Sequence, residues 1–321
     1  MDKISEFFLT TQQLKEKRPE LEEFYKEKVQ QLNFNCADGY TITAAKMDVP
    51  GAVDNLVIIP GRGEIGHKFA EFLYTLYNLK ISAVILFARG QGESSRLLKN
   101  RQKCHIDRFE NFARDDCFIL DSLGIRDYKL LAFSLGGLIS LDIIKNQANK
   151  PSRAALIAPY IWPKFFLSPT LLKIFVYSLG SFYPFSTIYT PHGTSYKRIE
   201  FATNHHSHCQ ERFEAYHDYY ALHPELTIGG PTFKFVKEAM RKQIELFESD
   251  FEFTIPVYCQ SAGEDKVVDT KAAFDFFKKH ANDACAPEFE IIEGAFHDII
   301  NETDKFRIPT LSKALKFLSL C

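Results

Sequence analysis

The 321-residue sequence lacks several features that would each point to a particular class of protein. It has no run of about 18 uncharged apolar residues, the length that a helix needs to cross a bilayer. It has no CxxC pair, and its seven scattered cysteines favour free thiols over a disulfide framework. It has no long run of lysine or arginine, and a formal net charge of −2 argues against a nucleic-acid partner.

The first residues, Met1 to Glu6, lack the basic stretch followed by an apolar stretch that marks a secretory signal. Together with the free thiols, this absence predicts a cytoplasmic location. Hydrophobic residues make up 45% of the chain and charged residues 25%, which are values typical of a folded globular protein with a sizeable core.

Short apolar runs alternate with helical patterns along most of the chain. Such alternation predicts the α/β class, with a mainly parallel sheet covered by helices on both faces. The predicted strands are 32–35, 41–47, 56–59, 82–87, 129–133, 154–157, 256–260 and 289–292. The predicted helices are an N-terminal one at about 10–30, then 68–79, 108–123, 137–146 and 271–280.

One interval, 160–250, breaks this alternation and is far too long for an ordinary connection between two strands. We expect it to form a mostly helical cap inserted after the sixth strand of the core. The core itself is then built from two stretches, 1–159 and 251–321.

Ser134 lies between the apolar strand 129–133 and the pair Gly136-Gly137, which opens a helical pattern. This arrangement is typical of a nucleophile elbow, a sharp strand-to-helix turn that exposes a serine hydroxyl at the top of a sheet. The usual pentapeptide is GxSxG, and Ala132 stands here in place of its first glycine. By itself, the pentapeptide is therefore a weak signal.

A serine nucleophile needs a base, and the base needs a third group to orient it. In an α/β-hydrolase these groups follow the serine in the order acid, then histidine. Asp265 lies on the loop after strand 256–260, and His297 lies on the loop after strand 289–292. The sequence therefore predicts a Ser134–His297–Asp265 triad, with Asp269 and Glu264 as less favoured acids.

The tetrahedral intermediate of such a reaction needs backbone N–H donors aimed at its oxygen. We predict the N–H groups of Leu135, directly after the nucleophile, and of Arg62, in the glycine-containing loop after strand 56–59. No organic cofactor is required by this chemistry. The run 205–209, His-His-Ser-His-Cys, lacks a second ligand pair at a suitable spacing, so we predict a polar loop and no metal site.

A set of motifs occurs here in the order seen in one known family. The segments are Pro60-Gly61-Arg62, Arg89-Gly90-Gln91-Gly92, His105-Ile106-Asp107, Ser134-Leu135-Gly136-Gly137, Gly229-Gly230-Pro231, Val267-Val268-Asp269 and Gly294-Ala295-Phe296-His297. In this combination the chain resembles the inner-membrane-associated bacterial lysophospholipases, which are related to monoacylglycerol lipases. The resemblance runs from about Val57 to the C-terminus. It departs at Phe133, where the family usually has histidine, and at Phe87-Ala88, where it usually has aspartate and a polar residue.

The resemblance implies an α/β-hydrolase that releases the acyl chain of a lysophospholipid or a monoacylglycerol. It supports Asp265 as the acid, since the family's acid lies four residues before the aspartate of the Val-Val-Asp run. It also implies peripheral contact with the inner face of the cell membrane. Two alternatives stay open: a short-chain carboxylesterase or thioesterase, and a catalytically silent lipid-binding protein.

The cap carries two apolar stretches, 161–167 and 171–177. They either line a tunnel for an acyl chain or pack the cap onto the core. Nearby cations either contact a phosphate or an anionic membrane, or are solvated surface charges. These cations are Lys164, Lys173, Lys197 and Arg198.

Overall fold

One eight-stranded sheet organises the protein in a computed structural model that describes residues 3–52, 54–164, 169–283 and 285–320. Its strand order is β1-β2-β4-β3-β5-β6-β7-β8. The strands are β1 (Gln30–Asn35), β2 (Thr41–Met47), β3 (Asn55–Ile59), β4 (Ser82–Leu86), β5 (Lys129–Phe133), β6 (Arg153–Ile157), β7 (Val257–Ala262) and β8 (Glu288–Ile292). The predicted strands are thus found within two residues of their expected bounds.

The sheet is mainly parallel. Only the pairs β1–β2 and β2–β4 are antiparallel within the described residues, and the five pairs among β3 to β8 are parallel. Strands β3, β4, β5 and β6 are buried along nearly their whole length because helices cover both faces. That explains why their sequences are continuous apolar runs without the alternation of a half-exposed strand.

Along the described chain, the first α-helix precedes the strands, the last one follows them, and the others lie between strands. The α-helices are α1 (Thr11–Lys28), α2 (Ala70–Asn78), α3 (Glu110–Ser122), α4 (Leu135–Asn146), α5 (Pro169–Ser181), α6 (Gln210–Leu222), α7 (Phe233–Glu248), α8 (Thr270–Lys279) and α9 (Asp304–Phe317). Helix α1 begins with a capping box, in which Thr10 and Gln13 each accept a backbone N–H from the other. The predicted α/β class with helices on both sheet faces is confirmed.

Helices α5, α6 and α7 occupy the long interval between β6 and β7, the place predicted for an inserted cap. Arg212 ties α6 to the rest of the molecule, and its buried guanidinium binds both carboxylate oxygens of Glu71 on α2 at 2.8 and 2.9 Å. The same group contacts Asp304 at the start of α9 at 2.9 Å. The guanidinium is planar and pairs with two carboxylates, so it restricts the orientation of α6 more strictly than apolar packing alone.

No helix in the described ranges has the length and apolar character required to cross a membrane.

Candidate functional site

Ser134 occupies a strained turn between β5 and α4. Its φ of 51° and ψ of −114° are unusual for a residue with a side chain, as expected of a nucleophile elbow. The turn brings Gly136 very close to the end of β3. A Cβ on this residue would lie 2.0 Å from the carbonyl oxygen of Ile59, so only glycine fits there. The missing first glycine is not needed here, since Ala132 lies in the regular strand β5 and does not have a positive φ.

His297 lies on the loop after β8, at the position that the sequence predicts for the base. Its Nε2 is 2.9 Å from Oγ of Ser134, and its Nδ1 is 2.7 Å from Oδ2 of Asp265. The three side chains are all buried. The structure therefore brings the three predicted residues together in an unbroken chain of hydrogen bonds that can carry a proton from the serine hydroxyl to the imidazole.

Asp265, after β7, is held for this contact by two further hydrogen bonds. Its Oδ1 accepts the N–H groups of Val267 and Val268 at 2.7 and 2.9 Å. Burial by itself would raise the pKa of Asp265, but the hydrogen bond and charge of His297, aided by the two N–H groups, bring that pKa below its usual value. The carboxylate is therefore ionised at neutral pH and can stabilise a charged imidazole.

The two less favoured candidates for the acid of the triad, Asp269 and Glu264, make other contacts in the structure. The carboxylate of Asp269 accepts the N–H of Ala272 at 3.1 Å and caps the first turn of α8. Glu264 is exposed, and its backbone N–H donates to the carbonyl of Ala295. Within the described chain the aspartate bonded to His297 is Asp265, as preferred from the sequence.

The two predicted oxyanion donors lie on either side of Ser134. Leu135 is the first residue of α4, so its N–H has no partner one turn earlier in the helix. Arg62 follows Gly61, whose position is so close to the elbow that a Cβ there would lie 3.2 Å from Cβ of Ser134. Both N–H groups thus stay candidates for stabilising an oxyanion.

A buried ionic group that the sequence did not predict joins the loop of Arg62 to the loop of His297. Nζ of Lys68 is 2.5 Å from Oε1 of Glu64 and 2.7 Å from Oδ2 of Asp298. The other oxygen of Glu64 accepts the N–H of Gly61 at 2.8 Å. Burial disfavours the charge of Lys68, but the two carboxylates more than offset it and raise the pKa of this lysine well above its usual value.

The predicted polar loop at 205–209 packs against the residues that follow His297. The N–H of Asp298 donates to the carbonyl of His206 at 2.8 Å, and Oγ of Ser207 donates to the carbonyl of Asn301 at 2.7 Å. Burial, aided by the nearby His297, lowers the pKa of His206 to about 4. In the described part of the chain, no group of three or more His, Cys, Asp or Glu side chains is arranged to hold a metal ion.

An open cavity of about 530 Å³ lies above Ser134 and His297. Its walls come from the Arg62 loop, from the cap segment 190–197 and from helix α6, which contributes Tyr216 and Tyr220. None of the described side chains of the predicted tunnel stretches lines it. Ile161 instead joins the main core and Val176 packs against Met240 of α7, whereas Ile174 and Phe175 are exposed. Residues 165–168 lie outside the described residues.

Comparison with known proteins places this geometry in a family. Residues 52–304 match the model of Hydrolase_4, described as serine aminopeptidase, S33. The chain belongs to the Hydrolase_4 family. Because the match covers most of the sheet together with Ser134, Asp265 and His297, the fold of this Hydrolase_4 protein is that of the α/β-hydrolases.

Individual relatives of this Hydrolase_4 protein agree with the resemblance found in its motifs. It is 27% identical over 275 residues to "Lysophospholipase L2" of Escherichia coli strain K12, covering 82% of this chain and 80% of that protein. It is 26% identical over 271 residues to "Probable lysophospholipase L2" of Haemophilus influenzae, covering 83% of each. The resemblance to bacterial lysophospholipases is therefore confirmed.

Solved structures share the fold. A soluble variant of monoglyceride lipase from Saccharomyces cerevisiae superimposes with a TM-score of 0.69 at 19% identity, over 91% of this chain and 95% of that one. A monoacylglycerol lipase of Paleococcus ferrophilus gives 0.65 at 14% identity, over 92% and 100% of the two chains.

Proposed function

We propose that this protein is a serine ester hydrolase that releases the fatty acid of a lysophospholipid or a monoacylglycerol. The observation that carries the proposal is the Ser134–His297–Asp265 chain of hydrogen bonds, at 2.9 and 2.7 Å, at the base of an open cavity. The names of the relatives, lysophospholipase and monoglyceride lipase, supply the substrate class.

In the first half of the proposed reaction, Oγ of Ser134 attacks the ester carbonyl carbon while Nε2 of His297 takes the hydroxyl proton. The negative charge that develops on the carbonyl oxygen is stabilised by the N–H groups of Arg62 and Leu135. The ionised Asp265 stabilises the positive imidazole through Nδ1. The intermediate then expels the glycerol oxygen, which takes the proton from Nε2, and an acyl ester on Ser134 remains.

In the second half, a water molecule replaces the departed alcohol and gives a proton to Nε2 of His297 as it attacks the acyl carbon. Collapse of the second tetrahedral intermediate breaks the bond to Oγ of Ser134, which recovers the proton from the imidazole. The fatty acid leaves, and the enzyme returns to its starting state. None of these steps consumes a cofactor.

A panel of substrates tests the proposed class. It contains lysophosphatidylcholine, monoacylglycerol, p-nitrophenyl esters of increasing chain length, an acyl thioester and an amino-acid p-nitroanilide, the last because of the family's description. We expect release of long-chain fatty acid from the two monoacyl lipids. Each methylene buried in the site adds about 0.8 kcal/mol, roughly a fourfold gain in kcat/KM. A preference for butyrate esters, thioesters or the anilide would instead assign one of the other activities.

We also propose that an apolar face of the cap contacts a lipid bilayer, from which a monoacyl lipid would enter the cavity. Phe182 and Tyr183 are 68% and 84% exposed, and Phe185 is 50% exposed beside them. An exposed aromatic cluster of this kind marks an interaction surface. Ile188, also exposed, lies only two residues before Thr190 on the cavity wall. This contact would give the protein a peripheral location on the inner face of the cell membrane.

Sedimentation with vesicles of phosphatidylethanolamine and phosphatidylglycerol tests this contact. The double variant Phe182→Ser/Phe185→Ser is expected to lower the bound fraction several-fold, because each ring loses about 1.5–3 kcal/mol of burial in lipid. Phe118→Ser is the matched control, since Phe118 is 43% exposed on α3 and outside the cap. An equal loss of binding in both variants, or none in either, would contradict the proposed face.

A further inference from the structure

The cavity above Ser134 contains several ionisable side chains, but few of them carry a charge that is free to meet a ligand. Burial lowers the pKa values of both His206 and His217 to about 4, so both are neutral at pH 7. Lys68 lies between the carboxylates of Glu64 and Asp298, so this group has no surplus positive charge to offer a ligand. The cavity has no other carboxylate in its described lining.

Two cations remain in that lining, Arg62 and Lys197. Neither has a carboxylate oxygen within 4 Å in the described chain, whereas the neighbouring Arg198 is paired with Asp218 and Glu214. Arg62 and Lys197 are therefore the cations of the described lining that lack a carboxylate partner. Two such cations favour a ligand that carries a negative charge near the bond that is cleaved.

Arg62 is the better placed of the two cations. It directly follows Gly61, and a Cβ on Gly61 would lie only 3.2 Å from Cβ of Ser134. Its Nη1 donates to the carbonyl of Gly229 at 2.9 Å, which anchors the guanidinium against the cap. The guanidinium also contacts the thiol of Cys104. Since a guanidinium has five N–H donors, these two contacts leave donors for a further acceptor. Lys197 is exposed and carries a flexible point charge.

We propose that the side chain of Arg62, assisted by Lys197, binds the phosphodiester of the substrate and thereby selects lysophospholipids over monoacylglycerols. The inference rests on the proposed function, because it assigns the head-group class of the same site. In a lysophospholipid the phosphate lies one glycerol unit from the ester, and a residue adjoining the oxyanion loop can reach both. A planar fork matched to two phosphate oxygens is the geometry in which arginine binds this group most strongly.

Binding of two ether lipids tests the subsite without any catalysis. A 1-O-alkyl lysophosphatidylcholine and a 1-O-alkylglycerol of the same chain length cannot be hydrolysed, and they differ by the phosphocholine group. Both are titrated below their critical micelle concentrations. In Arg62→Gln we expect the Kd of the phospholipid to rise about 10- to 100-fold relative to that of the alkylglycerol, the range typical of a charge-assisted hydrogen bond.

The ratio of kcat/KM for lysophosphatidylcholine to kcat/KM for the matching monoacylglycerol is then measured. Damage to the oxyanion loop lowers kcat/KM for both substrates by a common factor, which cancels in the ratio, whereas loss of a phosphate contact lowers the phospholipid alone. Arg62→Lys is expected to keep the ratio between those of the wild type and Arg62→Gln, because lysine keeps the positive charge but lacks the planar guanidinium. Lys197→Gln should change the ratio less, and Arg126→Gln, remote from the cavity and 78% exposed, serves as the matched arginine control.

The outcomes separate the inference from the proposed function. A wild-type protein that binds the ether phospholipid in an Arg62-dependent manner but cleaves neither lipid would refute the hydrolase and keep the subsite. Cleavage of both lipids with an unchanged ratio in Arg62→Gln would refute the subsite and keep the hydrolase. A ratio that falls equally in Arg126→Gln would also overturn the assignment to Arg62.

Discussion

Ser134→Ala is expected to lower kcat for fatty acid release by at least about 10⁴-fold, because no other described side chain is placed to form the acyl ester. The free energy of unfolding should change little, since alanine keeps the Cβ and the same strained backbone turn. Release of fatty acid from lysophosphatidylcholine, with thermal unfolding measured in parallel, checks both expectations.

A fluorophosphonate probe gives an independent measurement, because only a serine activated by a base reacts with it rapidly. Labelling should disappear in Ser134→Ala and persist in Ser140→Ala. Ser140 is the control: it is a buried serine of the neighbouring helix α4, and its hydroxyl donates to the carbonyl of Gly136. Retained turnover in Ser134→Ala would refute the proposed mechanism, and a folded wild type that never labels would favour a catalytically silent lipid-binding protein.

Lys68→Met is expected to lower the free energy of unfolding by about 3–5 kcal/mol, because it leaves the buried carboxylates of Glu64 and Asp298 without their cation. It should also lower kcat, since Glu64 holds the N–H of Gly61 and Asp298 adjoins His297. Chemical denaturation measures the first effect, and hydrolysis of a monoacyl substrate under folding conditions measures the second.

The triple variant Lys68→Met/Glu64→Gln/Asp298→Asn separates these two effects. Neutral amides no longer need a buried cation, so most of the lost stability should return. Activity should stay low if the ionic group positions the two loops, because the link between them is broken. Full recovery of kcat together with stability would show that the ionic group acts on folding alone.

The strands and the order of the three triad residues could be predicted from the sequence because each depends on local chemistry. A parallel strand buried on both faces must be a continuous apolar run, and β3 to β6 are such runs. Ser134, Asp265 and His297 each follow one strand directly, so the topology of a parallel sheet brings them to the same edge. Ala132 weakened the local motif, but it lies in the regular strand β5 without a positive φ, so the turn does not require glycine there.

The surroundings of the triad could not be predicted, because they depend on contacts between segments distant in sequence. Lys68 and Asp298 are 230 positions apart in the numbering, and only the folded chain makes them an ion pair. The polar loop at 205–209 carried no sequence signal for its contact with the residues after His297. The two apolar stretches, 161–167 and 171–177, had two open interpretations. In the described part of them Ile161 and Val176 are packed, whereas Ile174 and Phe175 are exposed.

The sequence by itself therefore determined the α/β class, the order of the strands along the chain and the three residues proposed to carry the reaction. Hydrophobic periodicity and the position of a residue directly after a strand are local properties, so they can be recognised from the sequence without a structure. The tertiary structure alone decided which charges in the cavity are neutralised and which remain free. Ion pairing depends on distances between loops. In the described chain those distances leave Arg62 without a carboxylate partner and bury Lys68 between two carboxylates.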